Sequence, residues 1–341
     1  MNDEVRVVCP KCKGELAEID STAGHCLGCG LRYSILFAIP DLRYPVGDRE
    51  NDPELIIAER LIAAFPASSF SELVDIYFSS IDTSTVPDHL ISHYRLQRTN
   101  QLSRGQQFAQ MFSARLKEYF DLPDSASALE LGSGTGASLV TLSRDYANVV
   151  GIDPSLPSLI LARKFCEDNQ IRNVRLIQAY GQHLPFPENS FTYVTAQNVL
   201  EHVFDIEDVM LEVHRVLKHR GGFAADSRNR FDAFFPEPHV QLRGVGFLPR
   251  GWANSYVRWR IGMSYDAVHT RLLSYFDLQK ALRKPFGNHH RVVTPRVSAY
   301  NMSEKWDRLF TRLERFKWLQ QLLVIIFPSH VALAQKQSPD Q

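Results

Sequence analysis

The chain has 341 residues, 44% of them hydrophobic and 22% charged, and this balance excludes a disordered or fibrous protein. Lysine plus arginine and aspartate plus glutamate each number 38, so the formal net charge at pH 7 is zero. The charge is unevenly distributed, because residues 228–317 hold 17 Lys and Arg against 7 Asp and Glu. Such a basic segment attracts an anionic substrate, a membrane face or RNA.

Neither an export signal nor a membrane span is visible, and we expect a cytoplasmic protein. The sequence begins with the acidic stretch MNDEVRVV and reaches a cysteine motif before any apolar run, unlike a signal peptide. The longest apolar run, at 318–327, has ten residues including two glutamines, whereas a bilayer crossing needs about 20. This run therefore predicts a buried helix or a peripheral contact with lipid.

The first predicted unit, residues 1–45, is a zinc ribbon. Two Cys-x-x-Cys pairs stand thirteen residues apart, a spacing that lets four thiolates surround one Zn²⁺ tetrahedrally. Four thiolate ligands leave the metal no open position, so we expect a structural zinc. The ligands are Cys9, Cys12, Cys26 and Cys29, while the fifth cysteine, Cys166, lies alone in a helical pattern.

The second predicted unit, residues 46–122, is a helical linker or lid. Apolar residues recur there at three- and four-residue steps, as on one face of an amphipathic helix. They are Leu55, Ile56, Ala58, Leu61 and Ile62 in the first part, and Phe108, Met111, Phe112, Leu116 and Tyr119 in the second. A stretch around 79–88, rich in Ser, Thr, Asp and Pro, predicts a loop between the two parts.

The third predicted unit, residues 123–341, alternates short apolar strands with helices, which predicts a doubly wound α/β fold with its ligand beyond the carboxyl ends of the central strands. We expect strands near 126–131, 148–153, 174–179, 191–198, 221–227, 290–297 and 330–336, and helices near 137–145, 156–169, 206–218 and 275–284. Ser155 and Pro157 predict the start of the second helix, and Gly221-Gly222 the end of the third. Two insertions are expected, at 228–275 and 298–329.

A glycine loop follows the first of these strands, in LELGSGTGA. Its glycines allow the backbone to approach a ligand closely, and they are Gly132, Gly134 and Gly136. The pattern also satisfies the dinucleotide-binding motif. Glu130 argues against a dinucleotide, because a carboxylate there repels a pyrophosphate and attracts a cationic ligand. Asp153, at the end of the second strand, predicts hydrogen bonds to ribose hydroxyls, which fits either kind of nucleoside ligand.

Four segments, LELGSGTG, GIDPS, the run 178–203 and HRVLKHRGGF, together resemble the class I S-adenosylmethionine-dependent methyltransferases. The similarity is greatest to the subgroup with the ubiquinone and menaquinone biosynthesis enzymes and many sugar and lipid methyltransferases. It covers about 126–227 and, more weakly, a final strand at 330–336. It implies a Rossmann-like sheet of seven strands with helices on both faces and an antiparallel last strand.

The resemblance also implies which residues hold the cofactor, S-adenosylmethionine. By position they are Glu130, Gly132, Ser133, Gly134, Thr135 and Gly136 for the methionine part, Asp153 and Pro154 for the ribose, Tyr180, Gly181 and Gln182 for the adenine, and Gln197 and Asn198 beside the methionyl group. One departure stands out, because Tyr180-Gly181 occupies the place where the family often has an acidic residue for the adenine amino group.

Methyl transfer from a sulfonium needs positioning and at most a base for the acceptor's proton, so no nucleophilic residue is required. Two histidines are candidates for that base. His202 follows Glu201 just after the fourth strand, and His239 lies in FPEPHV of the first insertion, with Arg243 as an anion clamp beside it.

The ribbon carries a resemblance of its own. From Cys9 through YSILFAIPDLRYP it is similar to the zinc-ribbon activator proteins of tRNA and protein methyltransferases, and to the zinc finger that begins a ribosomal RNA methyltransferase family. Either resemblance implies RNA as a substrate. The alternative is that the ribbon serves only as a structural scaffold. Side chains suited to RNA are sparse in it, namely Arg6, Lys11, Lys13, Arg32 and Tyr33.

Three functions follow, in the order in which the sequence favours them. The first is a methyltransferase for a small-molecule, sugar or lipid-linked acceptor, which the aromatic, arginine-rich insertion suggests to be anionic. The second is an RNA methyltransferase that uses the ribbon for recognition, although Gln197-Asn198-Val199-Leu200 replaces the Asn/Asp-Pro-Pro-aromatic run that serves to methylate base nitrogens. The third is a cofactor-binding regulatory protein without turnover.

Overall fold

Two β-sheets organise the chain in a computed structural model. It describes residues 5–18, 20–45, 52, 54–81, 87–99, 101–123, 126–232, 235–268, 270–295, 316 and 324–338. Within these residues, a four-stranded antiparallel sheet lies at the N-terminus and a seven-stranded sheet forms the centre of the remainder. The expected α/β class, with a Rossmann-like seven-stranded sheet and a small N-terminal ribbon, is therefore confirmed.

The ribbon is built from short strands that pair in sequence order. They are β1 (Leu16–Glu18), β2 (Ala23–Cys26), β3 (Arg32–Leu36) and β4 (Ile39–Pro40). Two backbone hydrogen bonds join the ribbon to the large domain: the Leu42 amide donates to the Gln178 carbonyl at 2.7 Å, and the Val8 amide donates to the Pro185 carbonyl at 2.9 Å. The ribbon is thus attached beside an edge strand of the large sheet.

Four helices lie between the ribbon and the large sheet. They are α1 (Glu54–Ala64), α2 (Phe70–Ser80), α3 (Asp88–Thr99) and α4 (Gln101–Tyr119). Ser69 and Glu72 form a reciprocal capping box that fixes the start of α2. Leu61 and Leu73, both fully buried, pack with Leu159 of the large domain, so this helical region shares a core with the sheet domain.

The large sheet has the strand order β7-β6-β5-β8-β9-β11-β10. Its strands are β5 (Ser127–Leu131), β6 (Asn148–Asp153), β7 (Val174–Gln178), β8 (Phe191–Ala196), β9 (Leu217–Arg228), β10 (His290–Val293) and β11 (Ser329–Gln335). The first five pair in parallel, and β11 runs antiparallel to both of its neighbours, as the resemblance implied.

Helices cover both faces of this sheet. They are α5 (Leu139–Asp145), α6 (Leu156–Asp168), α7 (Ile206–Val216) and α9 (Tyr275–Phe286), while α8 (Arg250–Ile261) lies apart from the sheet in the first predicted insertion. Successive residues of β5 point to opposite faces, since Leu129 packs with α7 and α9 whereas Ala128 packs with α4 and α5. The Ser155 hydroxyl accepts a hydrogen bond from the Ser158 amide at 3.4 Å, so the predicted start of α6 is confirmed.

The predicted end of α7 is wrong. The helix ends at Val216, and Gly221 and Gly222 lie within β9 instead of terminating a helix. A Cβ on Gly222 would lie 2.4 Å from the Leu116 Cδ2 atom, and one on Gly221 would lie 2.8 Å from the Lys218 carbonyl oxygen. Gly222 therefore allows α4 to approach the strand closely, and Gly221 allows the backbone to pass close to the start of the same strand.

The first predicted insertion contains α8 and packs on α3. Val240, Val245 and Val257 form a buried cluster with Leu90 of that helix. Most of the second predicted insertion, and of the apolar run at 318–327, lies outside the described residues. Among the described residues, no helix has the length and apolar character that a membrane crossing requires.

Candidate functional site

A cleft of about 820 Å³ opens where β5, β6 and β8 end. It is lined by nearly all residues for which a cofactor role was predicted, namely Glu130, Gly132, Ser133, Gly134, Thr135, Asp153, Pro154, Tyr180, Gly181, Gln182, Gln197 and Asn198. His202 and His239 line the same cleft. The fold thus brings together segments that are up to 109 residues apart in sequence.

Gly136 is the exception among these residues. It does not line the cleft, and a Cβ placed on it would lie 3.2 Å from the Cα and Cβ atoms of Ala162 in α6. Its φ of 88° also lies in the left-handed region. Gly136 therefore permits the turn and the close packing of α6, and the prediction that it contacts the cofactor has no support in its position.

Gly132 and Gly134 shape the floor of the cleft. Their φ angles are 61° and 50°, in the left-handed region that glycine adopts readily. A Cβ on Gly132 would lie 2.4 Å from the Val199 Cγ2 atom, so the backbone here passes directly against the segment that follows β8. Only glycine at this position keeps both the turn and that contact.

Asp153 ties the glycine loop to the start of α6. One carboxylate oxygen accepts from the Gly134 amide at 2.9 Å, and the other accepts from the Ser155 amide at 2.9 Å. Burial raises the pKa of Asp153, while these two hydrogen bonds and the charge of Arg98 lower it. Each oxygen keeps a second lone pair, so the carboxylate can accept hydrogen bonds from a diol as well.

Glu130 is a buried carboxyl group with an unpartnered oxygen at the cleft. Its side chain is 3% exposed, and Oε2 has no hydrogen-bond partner among the described residues. Burial raises the pKa of Glu130 to about 8, partly offset by a hydrogen bond with Ser138. A buried acid of this kind destabilises the protein unless a positive charge compensates it, which marks the position for a cationic ligand.

Arg98 of α3 is a cleft residue that the sequence analysis missed. Its guanidinium lies 4.6 Å from the centre of the Tyr77 ring, and Nη1 is buried without a hydrogen-bond partner in the described part of the chain. The sequence carries only a partial signal for it, because the four-residue spacing of Leu90, Tyr94 and Arg98 predicts one shared helix face but not what that face contacts.

The segment after β8 is held in place by two polar contacts. The Ser138 hydroxyl donates to the Gln197 side-chain oxygen at 2.8 Å, and the Asn198 amide donates to the Asp226 carboxylate at 2.9 Å. Asn198 has a φ of 51°, and the buried Asp226 stabilises that turn. Gln197 and Asn198 thereby face the cleft between its two ends.

A histidine–glutamate pair occupies the other end of the cleft. His239 Nδ1 lies 2.5 Å from Glu237 Oε1, while Glu237 Oε2 accepts from the amides of His239 and Val240 at 2.8 Å. The Tyr94 hydroxyl donates to the His239 carbonyl at 2.6 Å. These contacts hold the His239 backbone and orient its ring, with Nδ1 facing the carboxylate and Nε2 pointing away from it.

His202 differs from His239 in its electrostatics. The two rings meet edge to face, with centroids 5.1 Å apart. Burial, followed by the charge of His239, lowers the pKa of His202 to about 4, so this ring is neutral near pH 7. Arg243, which was expected to act as an anion clamp beside His239, is exposed and does not line the cleft, whereas Arg228 at the end of β9 does.

The four cysteines of the ribbon converge on one point. The Sγ atoms of Cys9, Cys12, Cys26 and Cys29 all lie within 4.8 Å of one another. The amides of Gly28 and Cys29 point at Cys26 Sγ, at 3.3 and 3.5 Å. Four converging sulfurs with amide donors are the arrangement that a tetrahedral metal ion requires.

The ribbon contacts the large domain close to the cleft. Lys13, inside the first cysteine turn, donates through Nζ to the Leu184 carbonyl at 3.1 Å and to Glu212 Oε2 at 3.0 Å. Arg43, braced by the Asp41 carboxylate, reaches the carbonyl of the cleft residue Pro154 at 3.5 Å. The first cysteine turn is thus bound to the large domain, and the end of the ribbon contacts the cofactor end of the cleft.

Comparisons with known proteins agree with this geometry. Residues 129–225 match a family model described as a methyltransferase domain. An uncharacterized methyltransferase of Bacillus subtilis, YcgJ, is 30% identical over 153 residues, which are 45% of this chain and 58% of the relative. A demethylmenaquinone methyltransferase of Listeria welshimeri is 40% identical over 101 residues, 29% of this chain and 43% of the relative. The chain thus spans about half the length of these relatives.

Solved structures were compared as well. The crystal structure of YcgJ from Bacillus subtilis is 18% identical, with a TM-score of 0.42, and the match covers 67% of this chain and 99% of that one. Phosphoethanolamine N-methyltransferase 2 of Haemonchus contortus, in complex with S-adenosyl-L-methionine, is 16% identical with a TM-score of 0.44, over 67% of this chain and 53% of that one.

Proposed function

We propose that this chain, whose residues 129–225 form a domain of the class I S-adenosylmethionine-dependent methyltransferases, transfers a methyl group from that cofactor to an anionic small-molecule, sugar or lipid-linked acceptor. The single observation that carries the proposal is the buried Glu130 carboxyl group, whose unpartnered oxygen lies at a glycine-lined cleft. S-adenosylmethionine carries an ammonium and a sulfonium but no phosphate, so this acid can ionise against it, whereas the pyrophosphate of a dinucleotide offers no charge to compensate an ionised Glu130.

The residues present fit the cofactor along its length. Glu130 would hold the ammonium and Arg98 the carboxylate of the methionine part, because both offer a buried, unpartnered atom of the opposite charge. Asp153 would hold the ribose diol. The adenine would lie on the turn Tyr180–Gln182, where backbone groups take the place of the acidic residue that the family often has. When bound, the cofactor supplies a methyl group on sulfur, which departs as a neutral thioether.

We assign the base to His239. Glu237 accepts a hydrogen bond from Nδ1 and so keeps the proton on that nitrogen, which leaves Nε2 to accept a proton from a hydroxyl or amine of the acceptor. His202, neutral and edge to face with the His239 ring, shapes the pocket beside it. Arg228, which borders the same end of the cleft, supports an anionic group on the acceptor.

The positions of two ribbon side chains argue against RNA as the acceptor. Of the side chains considered for RNA contacts, Tyr33 is 6% exposed and packs on Gly24, and Lys13 is bound to the Leu184 carbonyl and to Glu212. Neither is available for stacking or for phosphate contacts. We therefore assign the ribbon a scaffold role, with a structural Zn²⁺ on its four cysteines.

Incubation of the chain with isotopically labelled S-adenosylmethionine and a cell extract separated into lipid, metabolite and RNA fractions tests the proposal. We expect label in an anionic acceptor fraction, and loss of that label in Asp153→Ala together with cofactor binding weakened by about 1 to 3 kcal/mol. Label confined to RNA would support the second function. Cofactor binding without label in any fraction would support a regulatory protein.

A further inference from the structure

Helix α8 is held rigidly on the outside of the insertion that borders the cleft. Ala253 and Val257, one turn apart, are buried and pack with Val245 and with Leu90 of α3. The helix ends at Ile261, and Gly262, with a φ of 75°, forms a left-handed cap after it. This anchoring fixes which face of α8 points to solvent.

The outward face of α8 carries two tryptophans. Trp252 and Trp259 are 71% and 75% exposed, and residues seven apart lie on one helix face about 10 Å from each other. Phe247, in the short turn before the helix, is 51% exposed. Tryptophan side chains are seldom this exposed to solvent, because burying one indole removes a large apolar area from water.

Basic side chains flank this face. Arg258 and Arg260 are exposed on either side of Trp259, and the Arg260 guanidinium lies 5.5 Å from the centre of that indole. The sequence between Arg243 and Tyr265 contains no aspartate or glutamate. We call Phe247, Trp252, Arg258, Trp259 and Arg260 the α8 surface.

We propose that the α8 surface docks on an anionic lipid bilayer. Indoles partition to the headgroup level, where their apolar rings leave water while the N–H keeps a polar partner. Arginines beside them meet the phosphates of anionic lipids. A helix with this pairing, whose own residues include no aspartate or glutamate, has the charge and apolar complementarity of an interfacial anchor, and the nearby Asp266 carboxylate is bound to Arg250.

RNA fits the α8 surface less well. Sequence-independent nucleic-acid binding draws on many phosphate contacts, about six to ten in well-studied cases, whereas this surface exposes two arginines and three large aromatic side chains. A bilayer interface would remove these aromatic side chains from water, whereas a bound polynucleotide would leave most of their apolar area exposed to solvent.

Docking through α8 would also orient the cleft. Tyr94 and Val240 belong to the cluster on which α8 packs, and Tyr94 donates to the His239 carbonyl. The membrane would thus lie near the acceptor end, as a lipid-linked acceptor requires. This orientation rests on the proposed function, whereas binding to lipid does not.

Vesicle sedimentation of the full-length, zinc-loaded chain tests the inference without any activity measurement. The probes are vesicles of equal parts phosphatidylcholine and phosphatidylglycerol, vesicles of phosphatidylcholine alone, and a single-stranded RNA oligomer. We expect binding to the anionic vesicles that weakens at high salt. Trp252→Ser with Trp259→Ser is expected to lower the partition coefficient more than about tenfold. Arg258→Ser with Arg260→Ser is expected to remove the preference for anionic lipid.

The matched control is Phe276→Ser with Arg172→Ser, which removes an aromatic side chain that is 60% exposed on α9 and an exposed arginine elsewhere. It is expected to bind like the unaltered chain. Far-UV circular dichroism and the unfolding midpoint establish that each variant is folded. The inference is overturned if the unaltered chain stays in the supernatant, if the α8 variants sediment as it does, if the control loses binding equally, or if those substitutions abolish RNA retention and leave vesicle binding intact.

Discussion

Replacing Glu130 by Gln is expected to raise the stability of the protein and to lower its affinity for a cationic ligand. Burial raises the pKa of Glu130 to about 8, against an ordinary value of 4.5. Because the folded-state pKa is the higher one, the unfolded chain releases this proton first as the pH rises. The folded state therefore loses stability from pH 4.5 up to about pH 8. At pH 7 this loss is about 3 kcal/mol, so Glu130→Gln is expected to raise the free energy of unfolding by up to that amount.

The same substitution is expected to weaken binding of S-adenosylmethionine at least about tenfold, since a charge-assisted hydrogen bond to the ammonium is lost. With a pKa of about 8, about nine-tenths of the unliganded protein carries the Glu130 proton at pH 7, and pairing with the ammonium expels it. Titration calorimetry in buffers of different ionisation enthalpy counts that proton. We expect the unaltered chain to release close to one proton more than Glu130→Gln.

Glu54→Gln is the matched control. Burial also raises the pKa of Glu54, which accepts from the Ser155 hydroxyl at 3.1 Å and lies outside the cleft lining. This variant is expected to keep both the affinity and the proton release of the unaltered chain. Equal proton release and equal affinity in Glu130→Gln would refute the assignment of the ammonium to this carboxylate.

Three further outcomes follow from the site. Arg98→Met is expected to weaken S-adenosylmethionine binding about tenfold or more while leaving adenosine binding unchanged, because adenosine has no carboxylate; an equal loss for both ligands in calorimetry would contradict the assignment. His239→Asn is expected to lower kcat at least about a hundredfold with cofactor affinity unchanged, and Glu237→Gln to have a smaller effect in the same steady-state assay; unaltered turnover would exclude this base. Chelation of zinc is expected to lower the thermal unfolding midpoint. Lys13→Met is expected to lower it less, because the Glu212 carboxylate still accepts a hydrogen bond from Arg215 at 2.6 Å. An unchanged midpoint after both changes would mean that the ribbon does not stabilise the large domain.

The sheet domain was predictable because its signals are local. Each parallel strand is a short apolar run followed by a turn signal, and burial on both faces makes such runs nearly continuous. Glu130 and Asp153 were identified correctly as cleft residues because the carboxyl end of a parallel strand fixes where the next side chains lie. The Ser155 cap was equally local.

The errors and omissions have tertiary causes. Gly136 was predicted to contact the cofactor from the local motif alone, and its close approach to Ala162, a residue of another element, could not be predicted from that motif. Gly222 makes room for Leu116 of α4, which no short window of sequence shows. Arg98 was missed because its place at the cleft depends on how α3 packs on the insertion. Glu237 was read only as part of FPEPHV, since its pairing with His239 requires a turn whose amides both point at one carboxylate.

Binding of S-adenosylmethionine to the full-length, zinc-loaded chain tests most directly whether the cleft is built for a cationic nucleoside. Isothermal titration is expected to show one site, displaced by S-adenosylhomocysteine and unaffected by excess NAD. A binding signal with NAD and none with S-adenosylmethionine would mean that the glycine loop binds a pyrophosphate instead. No binding signal with either ligand would mean that the cleft binds neither.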